Sequence, residues 1–172
     1  MSFVYQLPWQ SKNGKGSIVK ALVNDWQVNG IFMAFSGAPF TVTADGAALN
    51  TPGNTQTADL VGSVNKIGDI GAAGYYFDPS AWAQPDGVRF GNSLRNQFRG
   101  PGGWNLDFSV FRTFFVAGRH KLELRVEGSN ITDTPKFANP TSSITSGDFM
   151  RIFALYNAYA ERQIRLGVRY SF

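Results

Sequence analysis

The sequence predicts an all-β fold, an antiparallel meander of about five strands, and three observations lead to it. Residues 163–172 place apolar side chains on one face of an extended strand and polar or small ones on the other. Aromatic residues make up 15% of the sequence and charged residues only 16%, below the roughly 25% usual for a soluble domain. No apolar run approaches the ~20 residues that a membrane helix needs, so only strands can cross a bilayer. Together these observations favour the last part of a transmembrane β-barrel.

The terminal segment has the length and the ending of a barrel strand. A strand that crosses a bilayer needs about 9 to 11 residues when tilted, with lipid-facing and lumen-facing side chains in alternation. The segment also resembles the terminal signal of bacterial outer-membrane barrels, in which a polar residue, a glycine and two aromatic residues hold fixed positions. Those positions are occupied by Arg165, Gly167, Tyr170 and Phe172. The resemblance implies binding by the barrel-assembly machinery, and the alternative is the half-buried last strand of a soluble all-β domain.

Five segments show strand-like patterns, and the connections between them alternate between short and long. The predicted strands are residues 2–9, 25–36, 104–116, 120–130 and 163–172. Residues 10–24 and 117–119 form the short connections, whereas residues 37–103 and 131–160 are long and show no sustained period. Outer-membrane barrels have short periplasmic turns and longer extracellular loops. The two long loops are therefore predicted to lie outside the cell.

The short connections carry turn residues. Residues 11–16 are polar and contain two glycines, which indicates a turn, and residues 18–22 can continue it as a helical turn. The second connection is predicted to be a tight hairpin in which Gly118 takes a positive φ. Arg112 is the exception on the apolar face of its strand, and it is expected to extend toward this hairpin and reach the membrane interface.

Alternation within the strands assigns a set of charged side chains to the barrel lumen. These are Asp107, Glu123, Arg125, Glu127, Arg165 and Arg169. Glu123 and Glu127 beside Asp107 also resemble the two carboxylates that a glycosidase uses as acid and base. Because Lys121 and Arg125 interleave with the glutamates, an ion-pair ladder in a wet lumen is favoured. We therefore expect no enzymatic activity.

Several other functions lack the residues that they need. The sequence has no cysteine and one histidine, so it offers no disulfide framework and no zinc or haem site, and no cofactor is expected. His120 with Ser129 and Asp133 forms no nucleophile motif, and His120 is interpreted as a hairpin residue. Residues 99–104 are rich in glycine but lack the lysine of a phosphate-binding loop. The net charge of +4 is spread along the chain without a basic run, so no nucleic-acid partner is expected.

The first long loop contains aromatic residues that are candidates for ligand contact. They are Tyr75, Tyr76, Phe77, Trp82 and Phe90. Large rigid rings can stack on a sugar or another planar ligand, and they can equally pack the loop against itself. The sequence leaves these two interpretations open. A soluble β-sandwich that binds carbohydrate is the alternative function, because it would use the same aromatic residues and the same alternation.

Several motifs resemble the carboxy-terminal part of TonB-dependent outer-membrane receptors, particularly the Oar-like group with a carboxypeptidase-regulatory-like domain. They are SFVYQLP (2–8), WQVNG (26–30), SGAPFTV (36–42), FDPSAW (77–82), FGNSLRN (90–96), RGPGGWNLD (99–107) and NITDTPKFANP (130–140). The resemblance implies a barrel of about 22 strands around a plug, of which this chain supplies only the last five or so. It also implies TonB-driven uptake of a scarce ligand.

The expected surroundings follow from this resemblance. Outer-membrane lipid, the remaining strands and the plug of the full receptor, and the barrel-assembly machinery are the expected partners. TonB itself would act only through the plug, which the chain does not contain. Residues 1–9 show no basic segment followed by an apolar core, so the chain is expected to be a fragment of an exported protein located in the bacterial outer membrane.

Overall fold

A computed structural model describes residues 1–8, 24–51, 53–71, 73–117, 119–155 and 161–172. The turn predicted at 11–16, the helical turn at 18–22 and Gly118 lie outside these residues. The described residues contain strands and two short 3₁₀ helices, Ala47–Leu49 and Pro79–Ala81. In this part of the chain, no helix has the length and apolar character needed to cross a membrane.

The described residues contain one large sheet and several much shorter strands. The strands are β1 (Ser2–Gln6), β2 (Trp26–Phe35), β3 (Pro39–Phe40), β4 (Asp59–Leu60), β5 (Trp82–Ala83), β6 (Phe98–Arg99), β7 (Gly103–Ala117), β8 (His120–Ser129) and β9 (Gln163–Ser171). The large sheet has the order β1, β2, β7, β8, β9, with antiparallel pairing in β1–β2, β7–β8 and β8–β9. The predicted all-β antiparallel meander is therefore confirmed.

The ends of two strands have identifiable chemical causes. β1 ends at Gln6, although the prediction extended this strand to residue 9. The N–H of Leu7 still donates to the carbonyl of Trp26, but Pro8 has no N–H and cannot continue the ladder. At the same end of the sheet, the β7–β8 register shifts between Phe115 and Ala117, just before the hairpin.

The chain divides into two compact units. The strand unit comprises residues 1–34, 104–135 and 158–172, and the loop unit comprises residues 35–103 and 136–157. The second unit draws on both long connections. The two loops that the sequence treated as separate irregular segments therefore fold together.

Two very short antiparallel strand pairs organise the loop unit. β3 pairs with β6, and β4 pairs with β5. Thr43 forms bridges both to Thr57 and to Ser143, which joins the first long connection to the second. Side chains from both connections form one buried apolar core. Its members are Phe40, Val42, Ala58, Tyr76, Phe77, Ala81, Trp82, Phe98, Phe149, Met150 and Ile152.

Candidate functional site

One face of the large sheet is a continuous apolar surface. Across β8 and β9, Leu124 stands opposite Val168 and Val126 stands opposite Leu166. Leu166 is 81% exposed. Monomeric soluble proteins rarely leave such a surface uncovered, whereas a strand that faces lipid is built in this way. The alternation that the sequence displayed thus produces a face suited to a bilayer.

Aromatic side chains lie at both ends of this apolar face. At the hairpin end they come from β2, β7 and the terminal strand, and they are Trp26, Phe114, Tyr170 and Phe172. At the opposite end, the rings of Phe32 and Trp104 have centroids 6.0 Å apart. Aliphatic side chains such as Val110 and Val126, which pair across β7 and β8, lie between the two groups. Aromatic belts on either side of an aliphatic band mark the two interfaces of a membrane-spanning surface.

Arg112 occupies the apolar face and is 5% exposed. Its guanidinium carbon lies 4.3 Å from the ring centroid of Phe114 and 5.1 Å from that of Trp26. The sequence predicted that Arg112 would extend toward the hairpin end, and its guanidinium packs against two of the hairpin-end rings. Cation–π contacts of this kind stabilise a charge in a poorly solvated place. They reduce the cost of an arginine on a face that is otherwise apolar.

The opposite face of the sheet carries the predicted charged row. Glu127 of β8 stands opposite Arg165 of β9, and Glu123 stands opposite Arg169. Arg125, between the two glutamates, approaches Glu127 with a nitrogen–oxygen distance of 3.6 Å. Each glutamate therefore has arginines as its cross-strand and same-strand neighbours. This arrangement supports a ladder of opposite charges rather than an acid and base pair.

Asp107, the remaining predicted lumen charge, has a local role at the end of β8. Its Oδ1 accepts a hydrogen bond of 2.9 Å from the backbone N–H of Asn130 and one of 2.8 Å from Nδ2 of Asn105. Asn130 has a positive φ of 48° and leads the chain out of the strand. Asp107 thus holds the start of the second long connection.

A concave region of about 590 Å³ lies on the polar face at the hairpin end. Residues of all five strands line it, among them Gln6, Asn29, Thr113, Glu123 and Arg169. Phe111 and Phe115 of β7 also line it, and sequence reasoning did not assign them. The alternation along β7 was sufficient to predict their position, because odd-numbered residues of this strand fall on the polar face. The Nζ of Lys121 lies 5.5 Å from the ring centroid of Phe115, so this ring also has a charged neighbour.

The loop unit buries three of the five predicted ligand-contacting rings. Tyr76, Phe77 and Trp82 are 3%, 8% and 6% exposed. Edge-to-face contacts join them to one another and to the core, with ring centroids 4.9 Å apart for Tyr76 and Phe77. Because these faces are covered by other rings, ligand contact is corrected to core packing for the three residues.

The other two rings have more accessible positions. Phe90 is 51% exposed. Tyr75 is partly buried, with the guanidinium of Arg151 4.9 Å from its ring centroid and an Arg151 N–H donating to its hydroxyl at 3.3 Å. Ligand contact by Phe90 and Tyr75 stays a prediction.

An ion pair holds the chain segment that carries Phe90. The Arg89 guanidinium donates two hydrogen bonds to the two carboxylate oxygens of Asp59, and the backbone N–H of Asn92 donates to the same carboxylate at 3.1 Å. The side chain of Asn92 in turn bonds the backbone N–H and carbonyl of Leu60. The hydrogen bonds from Arg89 chiefly hold the pKa of Asp59 below its ordinary value. We call this ion pair and its hydrogen bonds the Asp59–Arg89 latch. Sequence reasoning missed it, because two residues so far apart in the chain give no local pattern.

The four predicted assembly-signal residues divide between the two faces of β9. Arg165 and Gly167 stand opposite Glu127 and Arg125 on the charged face. Tyr170 stands opposite Leu122 on the apolar face. The rings of Phe172 and Tyr170 pack together, with centroids 6.0 Å apart. The aromatic members of the signal therefore lie on the apolar face, among the hairpin-end rings.

Comparison with known proteins agrees with this geometry. Residues 1–165 match the family model described as an outer membrane beta barrel domain. No curated protein and no solved structure gives a significant match. The sheet and its two faces define an outer-membrane barrel wall, and the chain belongs to the outer membrane beta barrel domain family. Its location is the bacterial outer membrane, so the soluble β-sandwich alternative is set aside.

Proposed function

We propose that the chain forms part of the wall and two surface loops of a TonB-dependent receptor that imports a scarce ligand. The motifs shared with the Oar-like group support this proposal. The observation that carries it is the loop unit. Both long connections leave the end of the sheet opposite the β7–β8 hairpin, and they fold together around an aromatic core. A passive pore has little use for so large a folded unit, whereas a receptor needs a rigid surface that binds ligand.

Each surface of the chain has a role in this proposal. The apolar face contacts lipid, and the charged face borders the water-filled or plugged lumen. β1 and β9 are the edges of the described sheet, and their free backbone groups require partners in a membrane. Further strands of the receptor would supply those partners. The plug would connect the receptor to TonB, and the chain itself carries out no chemical reaction.

A conductance measurement separates a plugged receptor from an open channel without knowledge of the ligand. The protein purified from outer membranes is inserted in planar bilayers bathed in potassium chloride. A plugged receptor should show little steady current until urea is added to unfold the plug, after which channel-sized currents appear. Large steady currents before urea would contradict the proposal and indicate a passive pore.

Energy coupling is tested separately in cells. Formaldehyde treatment of cells that produce the protein should yield a cross-linked species recognised by antibodies to both the protein and TonB. The same treatment of cells without TonB is the control. Absence of that species, in cells where another TonB-dependent receptor is cross-linked normally, would contradict the proposal.

A further inference from the structure

Three rings lie together at the hairpin end of the apolar face, and two of them form a stack. The rings of His120 and Tyr170 are nearly parallel, at 12°, with centroids 5.8 Å apart. Their side chains are also joined by a hydrogen bond of 2.7 Å between Nδ1 of His120 and the hydroxyl of Tyr170. The ring of Phe172 is tilted by 32° from that of Tyr170, with centroids 6.0 Å apart. Tyr170 therefore contacts both His120, the first residue of β8, and Phe172.

The strand register places His120 diagonally from Tyr170. Leu122 is the direct partner of Tyr170, and Lys121 is the direct partner of Ser171. Diagonal neighbours on one face are within reach of aromatic side chains. The orientation of the Tyr170 ring thus depends on β8 as well as on β9.

The rings that the signal presents are otherwise weakly held. Tyr170 and Phe172 are both exposed on the face of an edge strand. An exposed ring on an edge strand has rotamers to lose when a partner binds it. The stack removes part of that freedom in advance, and such preorganisation strengthens binding without any new contact to the partner.

We propose that His120 is a positioning residue for the terminal assembly signal. It holds the Tyr170 ring, and through it the Phe172 ring, in the orientation that the barrel-assembly machinery binds. The signal is then a two-strand element that is complete only when β8 and β9 have paired. This inference rests on the assembly role that the resemblance of the terminal segment implies for Tyr170 and Phe172. Ordering one side chain in advance raises the binding affinity by about 2- to 12-fold.

The test compares assisted with unassisted membrane insertion. The full protein, unfolded in urea, is diluted into liposomes that contain the purified assembly machinery and into protein-free liposomes of short-chain lipid. Insertion is followed by protection from protease. Four variants are compared: His120→Ala, Tyr170→Phe, Phe172→Ala and the neighbouring control Arg119→Ala. Tyr170→Phe keeps an aromatic ring in the signal and removes only the hydroxyl that reaches His120.

His120→Ala and Tyr170→Phe should each lower the assisted rate by about 2- to 12-fold and leave the unassisted rate near that of the unmodified protein. Arg119→Ala should change neither rate. Normal assisted rates for His120→Ala and Tyr170→Phe, with Phe172→Ala still impaired, would overturn the positioning role and leave the signal intact. Equal losses in both liposomes would also overturn it, because His120 would then act only through stability. A normal assisted rate for Phe172→Ala would instead refute the assembly signal.

Discussion

The side chain of Arg125 lies across Gly167, its direct partner in the β8–β9 register. A Cβ atom added to Gly167 would lie 2.8 Å from Cγ of Arg125 and 2.9 Å from its Nε. Arg125 occupies this space while its guanidinium reaches Glu127 on the same strand. The glycine of the terminal signal therefore has a packing role in the wall itself, and any side chain at this position must displace the side chain of Arg125.

Gly167→Ala should lower the free energy of unfolding of detergent-refolded protein by about 1 to 3 kcal/mol, because the added carbon overpacks against Arg125. In the Arg125→Ala background, Gly167→Ala should lower the free energy of unfolding much less. The coupling energy between the two substitutions should be about 0.5 to 3 kcal/mol. Urea unfolding curves of the four proteins measure both values. Gly128→Ala is the matched control, since a Cβ there would meet Ile131 at an ordinary 3.4 Å. An equal cost of Gly167→Ala in both backgrounds would show that Arg125 is not the obstacle.

Arg112→Lys should destabilise the refolded protein by about 0.5 to 1 kcal/mol. The guanidinium is planar and lies against both Trp26 and Phe114, whereas an ammonium group is compact and more strongly hydrated. Urea unfolding measures the loss, and the exposed substitution Arg119→Lys serves as the control. Unchanged stability in Arg112→Lys would mean that its positive charge alone is sufficient at this position.

The Asp59–Arg89 latch should make the loop unit sensitive to acid. The pKa of Asp59 is lowered in the folded chain, so its ionised form contributes stability at neutral pH. That contribution begins to fall near the unfolded pKa of about 4 and is lost as the pH passes down through the folded pKa. Proteolysis near Phe90 should therefore accelerate below about pH 4, when measured with a protease active in acid.

Asp59→Asn should accelerate cleavage near Phe90 already at neutral pH and should abolish most of the acid effect. Asp69→Asn, at an exposed carboxylate of the same unit, should leave cleavage close to that of the unmodified protein. If Asp59→Asn is cleaved no faster than Asp69→Asn, the latch does not hold this segment.

The membrane strands were predictable because lipid and water impose a period of two over a whole spanning length. β8 and β9 show this clearly, since each alternates without interruption. The loop unit was not predictable in this way. Its strands are two residues long, as in β4, and a strand of that length contains no period. Burial of Trp82 and the pairing of Asp59 with Arg89 arise from contacts between distant segments, which one sequence does not reveal.

The central claim is that the strands of the large sheet belong to a wall that crosses the outer membrane, with both long connections outside. The sequence has no cysteine, so single substitutions report their own positions. Ser63→Cys lies at an exposed position in the first long connection, and Arg119→Cys lies at an exposed position beside the β7–β8 hairpin. A maleimide attached to a polyethylene glycol chain too large for porins should label Ser63→Cys on intact cells. It should label Arg119→Cys only after the outer membrane is permeabilised, whereas labelling of Arg119→Cys but not Ser63→Cys on intact cells would contradict the account.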